Sequence, residues 1–192
     1  MTARWKLGLT IMSLLLVCVM SVCAIVIAFA STNHGFTSAI SISYTATDID
    51  GNISATYKVG TTGVETPLLN QENEGVVYFD ALDNQINGSF LINDPITLTS
   101  DANFVEFKYN LNNTGSTAWQ VTINFSDVEG DNTSNVSVTY STNGSSYSSS
   151  PLNFEIMENS SATCYVRIGI ADTSVDTTYT GALNIAMSSV EN

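Results

Sequence analysis

Basic side chains are nearly absent from this chain: five Lys and Arg stand against 18 Asp and Glu in 192 residues, for a formal net charge of −13. Arg4 and Lys6 precede an uncharged apolar run, so residues 31–192 retain only Lys58, Lys108 and Arg167, and their balance is 3 − 18 = −15. A chain without a cationic cluster releases no counterions from a phosphate backbone, which excludes nucleic acid as a partner. An anionic membrane surface is excluded on the same electrostatic ground. Histidine is scarcer still. The single His34 lies in the polar stretch STNHGFTS, whereas a catalytic imidazole must be held rigidly against its nucleophile and a His-rich zinc site needs several such rings. Of three cysteines, Cys18 and Cys23 fall in the apolar run, leaving Cys164 alone in the remainder. That excludes an internal disulfide and a Cys-rich zinc site, and its setting in CYVRIGI predicts a buried thiol acting as a small hydrophobe.

What is present begins with residues 7–30, LGLTIMSLLLVCVMSVCAIVIAFA, which carry no charge, follow Arg4 and Lys6, and end on Ala28-Phe29-Ala30. A basic start, an apolar stretch and small residues before a cut define a secretory leader, with cleavage expected between Ala30 and Ser31. The run is also long enough to span a bilayer as an uncleaved anchor. Either way residues 31–192 lie outside the cytoplasm, secreted or at the cell surface, and membrane contact is confined to residues 7–30. The expected organisation is a signal peptide or membrane anchor over 1–30, a linker over 31–38 and one domain over 39–192.

Beyond the leader no window has helical periodicity, and alternation of period two recurs instead. Ile40, Ile42, Tyr44 and Ala46 alternate with Ser and Thr, Asp50-Gly51 supplies a turn, and Ile53, Ala55, Tyr57 and Val59 alternate again, which predicts a β-hairpin. Short strands are expected at Val76–Asp80, Ser89–Ile92 and Ile96–Thr99. Asn103–Leu111 and Ala118–Phe125 flank Asn112-Asn113-Thr114-Gly115 and predict a second hairpin, with Trp119 on its apolar face. Val136–Tyr140, Leu152–Met157, Ala162–Ala171 and Ala182–Ser188 complete the expected strands. Ser, Thr and Asn make up about a third of the chain, which suits solvated strand faces and loops. The fold class expected is all-β: an antiparallel β-sandwich of jelly-roll or Ig-like shape, preceded by an N-terminal apolar signal or anchor helix.

Two segments, VEFKYNLNNTGSTAWQVTINF and CYVRIGIADTSVDTTYTGALNIAM, together with a single leader and one acidic Ser/Thr/Asn-rich β-domain, resemble secreted filament proteins of the TasA/camelysin kind. The resemblance implies a β-sandwich that works at the cell surface or in an extracellular matrix. The segment after the leader, TNHGFTSAIS, departs from that pattern in lacking an aromatic- and Asp-rich stretch.

Sites of chemistry are few. Asp172-Thr173-Ser174 is similar to an aspartic-protease signature, but that reaction needs two carboxylates sharing a proton, and the nearest second copy has Asn113 in place of the acid. No carboxylate pair for sugar hydrolysis stands out among the scattered acids. Calcium is the better hypothesis. Asp127, Glu129 and Asp131 concentrate three acids in the expected loop 126–132, and Asp48, Asp50 and Asn52 alternate through DIDGN; hard cations take such oxygen ligands. Eight Asn-x-Ser/Thr sequons, at Asn52, Asn87, Asn112, Asn124, Asn132, Asn135, Asn143 and Asn159, mark glycan acceptors if the host glycosylates exported chains. Tyr147 is the main aromatic expected to be exposed in a loop. The functional expectation is a non-enzymatic surface or matrix protein with a structural or adhesive role. It would self-associate or bind other surface proteins by strand addition, with segment 31–38 as the donor; the alternative is a calcium- or glycan-binding module.

Overall fold

The computed structural model describes residues 36–83, 85–92 and 96–190, and for residues 36–39, 127 and 128 the backbone alone. The chain divides into units of residues 1–34 and 35–192, and every described element belongs to the second. The apolar segment 7–30 and its expected helix, His34, and residues 31–35 of the expected linker lie outside the described residues.

Thirteen strands are described: β1 (Phe36–Thr47), β2 (Gly51–Val59), β3 (Thr66–Pro67), β4 (Leu69–Asn70), β5 (Val76–Phe79), β6 (Gln85–Leu91), β7 (Ile96–Leu98), β8 (Phe104–Asn113), β9 (Trp119–Glu129), β10 (Val136–Ser141), β11 (Leu152–Ile156), β12 (Ser161–Ile170) and β13 (Thr177–Ser189). They exceed the eleven segments expected because β3 and β4 are two-residue strands, too short to carry a periodicity. Among the described residues the remaining regular structure is two short 3₁₀ turns, Ala81–Asp83 and Thr133–Asn135. One sheet runs β11-β9-β13-β1-β6-β4 with β7 against the start of β1, and the other runs β10-β12-β8-β2-β3 with β5 also against β2.

Alternation assigns each strand an inner face. Ile42, Tyr44, Ala46, Val121, Ile123, Leu183, Ile185 and Met187 of the first sheet and Ile53, Ala55, Val105, Phe107, Tyr109, Leu111, Val166 and Ile168 of the second are buried in one apolar cluster. Each fully buried aliphatic or aromatic side chain there contributes about 1.5–3 kcal/mol. Trp119 is fully buried, and its ring meets Phe79 edge-on at 6.4 Å.

Both expected hairpins are corrected. β1 and β2 lie in different sheets, as do β8 and β9, so each turn carries the chain across the core. Asp48-Ile49-Asp50 arches over one end, with Asp48 at φ 52° and the buried Ile49 closing the core beneath it. The second arch is tied to the first, since the Thr114 N–H donates to the Asp50 carbonyl at 3.0 Å. Gly51 follows at φ 155°, where a Cβ would stand 2.1 Å from the Asn112 carbonyl oxygen and 2.5 Å from the Trp119 ring. The Asp-Gly pair thus serves a close approach between sheets rather than a two-residue hairpin.

The uniformly antiparallel expectation is also corrected. β1 and β13 pair in parallel over their common length, Phe36↔Thr177 to Thr47↔Ser188, while all other described pairs are antiparallel. The expected linker ends early, because Phe36–Ser38 are strand, held between Thr177–Tyr179 of β13 and Ile96–Leu98 of β7.

Candidate functional site

A buried carboxylate between two cations lies on the outer face of the second sheet. Lys58 of β2, Glu106 of β8 and Arg167 of β12 are direct cross-strand partners, so strand register alone puts a carboxylate between two cations. Glu106 is only 4% exposed; Lys58 Nζ is 2.8 Å from its Oε1 and Arg167 Nη2 2.7 Å from its Oε2. The Tyr147 hydroxyl donates to the same Oε2. The Arg167 guanidinium lies 4.2 Å from the Phe104 ring centre and 4.0 Å from that of Tyr147, a cation held between two π faces. Burial pushes the Glu106 carboxyl up, but hydrogen bonds from Lys58, Tyr147 and Arg167 and the Lys58 charge outweigh it, so it titrates below the usual carboxylate range. The Tyr147 phenol is pushed the other way, by burial and then by its bond to Glu106. Chemically the group is a clamp that pins the β10–β11 loop to the sheet. Tyr147 is half-buried within it, which corrects its assignment as an exposed loop aromatic.

A second feature is the outer face of the first sheet. One row across five strands reads Asn87, Thr45, Ala186, Thr122 and Asn153; the next reads Ser89, Ser43, Asn184 and Asn124. These rows carry no charged side chain. Many of their polar groups are already paired: Ser43 Oγ donates to Asn184 Oδ1 at 2.8 Å, Asn184 Nδ2 to Ser126 Oγ at 3.0 Å and Thr45 Oγ1 to Asn87 Oδ1 at 2.9 Å.

At one side of that sheet, β11 covers β9 only over Trp119–Ile123. Beyond it the Phe125 N–H is taken by the Tyr140 hydroxyl at 3.0 Å, a side chain from the opposite sheet. At the other side, a cleft of about 510 Å³ opens between β4, β5 and β6, walled by Tyr44, Asn70, Glu72, Glu74, Tyr78 and Asp83 among others. Tyr44 is almost fully buried, whereas Tyr78 is 72% exposed. The Tyr44 phenol is pushed up by its burial and by the Glu72 charge.

The residues expected to bind calcium are not gathered as a loop. β9 extends to Glu129, so Asp127 and Glu129 belong to a strand, and the turn is reduced to Gly130–Asn132 before a 3₁₀ turn. Glu129 and Asp131 are exposed, and the Asp131 N–H is bound by Thr178 Oγ1 at 2.9 Å. The Asp127 side chain lies outside the described residues. Asp50 of the DIDGN segment is committed elsewhere, its Oδ1 accepting from the Ala81 N–H at 2.9 Å. Among the described residues no three His, Cys, Asp or Glu side chains converge as a metal site.

Asp172 opens a turn, with its carboxylate accepting from the Ser174 N–H at 2.9 Å and hydroxyl at 2.6 Å, and these bonds hold it below the usual range. Cys164 is buried, and that burial pushes its thiol up to about 12. Among the sequons, Asn135 is spent on structure. Its amide donates to the Asp172 carbonyl and Thr177 Oγ1 and accepts from the Asp172 N–H. Asn124 and Asn159 are exposed.

Sequence reasoning missed the Glu106 clamp. Its signal was available: all three cations after the leader, Lys58, Lys108 and Arg167, sit at outward positions of long strands, where an acid on a neighbouring strand would be their natural partner.

No family model matches the chain, and no curated protein matches it. Among solved structures it is similar, at 8% identity, to the yeast delta-COP-I mu-homology domain, covering 80% of this chain and 95% of that one with a TM-score of 0.23. It is also similar, at 10% identity, to the major pilin protein T-13 of Streptococcus pyogenes, covering 84% and 100% with a TM-score of 0.21. At such TM-scores the likeness carries no argument about function.

Proposed function

We propose that residues 31–192 act outside the cytoplasm as a non-enzymatic structural or adhesive surface protein that self-associates by strand addition. The observation that carries this reading is the β11 edge. Among the described residues β11 pairs with β9 on one side only, and an edge strand with a free row of backbone donors and acceptors is a template for another chain. The uncharged segment 7–30 supports the extracytoplasmic placement. The donor is narrower than residues 31–38, because Phe36–Ser38 are already paired on both sides.

Electron microscopy of residues 31–192, with and without calcium, tests the reading. Filaments are expected, and Asn153→Pro, which removes a backbone donor from the exposed edge, should shorten or abolish them. Uniform monomers in both conditions would refute self-association. The cleft beside Tyr78 favours a second reading, a carbohydrate-binding module, since an exposed aromatic ring above amide and carboxylate walls suits a sugar. Monomers that bind a soluble neutral glycan would select it.

A further inference from the structure

We infer that the cleft between β4, β5 and β6 takes a glycan bearing free amino groups, a de-N-acetylated amino-sugar polymer, with its ammonium groups against Glu72, Glu74 and Asp83 and a sugar ring over Tyr78. The inference rests on the carbohydrate reading of this cleft and names the ligand class; it does not depend on self-association.

Charge selects the amine. Glu72, Glu74 and Asp83 line the cleft, and among the described residues no Lys, Arg or His does. The three cations after the leader are committed on the second sheet, Lys58 and Arg167 to Glu106 and Lys108 to Glu65. The cleft acids therefore have no counter-ion among the described residues. Nor do they converge on one point, as a hard divalent ion requires; lining the walls, they suit ammonium groups spaced along a chain. The turn that carries Glu72 and Glu74 is fixed, because the buried Asn70 Oδ1 accepts from both of their N–H groups, at 3.0 and 2.8 Å.

The floor carries an independent sign of a ligand. Tyr44 is only 5% exposed and lines the cleft, yet its hydroxyl makes no hydrogen bond among the described residues. Gly88 is its cross-strand partner, and a Cβ there would stand 2.1 Å from that hydroxyl, so the glycine is what leaves the phenol room at the cleft. A buried hydroxyl left unpaired is costly, and a sugar hydroxyl would complete it. Tyr78, far more exposed, offers a ring face on which a pyranose packs and to which an ammonium is drawn. The volume of about 510 Å³ falls within the roughly 300–1,000 Å³ of small-ligand sites, room for a short stretch of such a polymer.

Calorimetric titration of the full chain, held in a neutral detergent, tests the inference with a glucosamine oligomer, its N-acetylated counterpart and a lysine oligomer of equal charge. The glucosamine oligomer should bind at least about 10-fold more tightly than the acetylated one, and less tightly as salt rises. Tyr44→Phe and Tyr78→Ala should each weaken it about 10-fold, Tyr44→Phe without a change in Tm. Glu72→Gln with Glu74→Gln should abolish the preference for the free amine, whereas Glu129→Gln with Asp131→Asn, exposed acids outside the cleft, should not. Equal loss from both pairs would mean that net charge alone attracts the polymer, and would overturn the inference. Equal affinity for the two sugars overturns it and leaves the carbohydrate reading standing; no binding of either overturns both. A lysine oligomer that binds as tightly as the glucosamine oligomer, and is indifferent to Tyr78→Ala, would make the cleft a basic-peptide site and overturn the inference.

Discussion

Replacing Glu106 by Gln removes one charge and leaves the shape unchanged, and the geometry says what that should cost. The carboxylate is 4% exposed and takes ion pairs at 2.8 and 2.7 Å from Lys58 and Arg167, with a third hydrogen bond from Tyr147. Hydrogen bonds to a charged group are worth about 1.5–3 kcal/mol each. The loss is partly offset because Lys58 and Arg167 are 28% and 32% exposed and can rehydrate, and Arg167 keeps its two aromatic neighbours. A net loss of about 2–3 kcal/mol is expected, below the roughly 3–5 kcal/mol for breaking a fully buried pair. In a domain of this size that lowers Tm by about 4–12 °C. Glu65→Gln is the control: its pair with Lys108 spans 3.4 Å with Glu65 49% exposed, and should matter by less than about 0.5 kcal/mol. The pH dependence follows from sign. The folded pKa of Glu106 is depressed, so its contribution is fully present above the unfolded value of about 4.3 and is lost as pH falls through the folded value. Urea melts of wild type and Glu106→Gln should therefore differ by a constant amount near neutrality and converge in acid. A gap under about 0.5 kcal/mol at pH 7, or one that acid leaves unchanged, would refute this reasoning.

Two further outcomes probe the core. Asn113 is buried, with its Nδ2 within 2.8–3.3 Å of the carbonyls of Thr117, Met157 and Ile156 and its Oδ1 accepting from the Gly115 N–H. Asn113→Ala strands these groups and should cost about 2–4 kcal/mol in a denaturant titration; a neutral result would mean that the arch does not depend on it. Cys164, buried and pushed up to about 12, should resist iodoacetamide at pH 8 in folded residues 31–192 and react at once in urea, so rapid labelling of the folded domain would show that the β12 interior is open.

The alternation of Ile42, Tyr44, Ile53, Phe107, Val121 and Ile185 with polar neighbours was enough to establish strands, to sort inner from outer faces and to place Trp119 and Cys164 in the core. Period-two burial is a local property, and each residue carries it regardless of which strand lies beside it. Pairing is not local. Asp50-Gly51 and Asn113-Thr114-Gly115 look like hairpin turns, yet both arch between sheets, because an inner face is buried as well by packing across the core as by lying flat beside its sequence neighbour. The parallel match of β1 with β13, at opposite ends of the described chain, has no local signal of any kind. Nor does any local signal say which acid meets which cation in the Glu106 clamp, whose partners are 48 and 61 positions apart in sequence and meet only through the register of β2, β8 and β12. The amino-acid pattern by itself determined which side chains seek the interior and how acidic the remainder is. Tertiary structure decided which polar residues meet, because cross-strand distance depends on sheet order, which loop entropy and core packing select jointly over the whole chain.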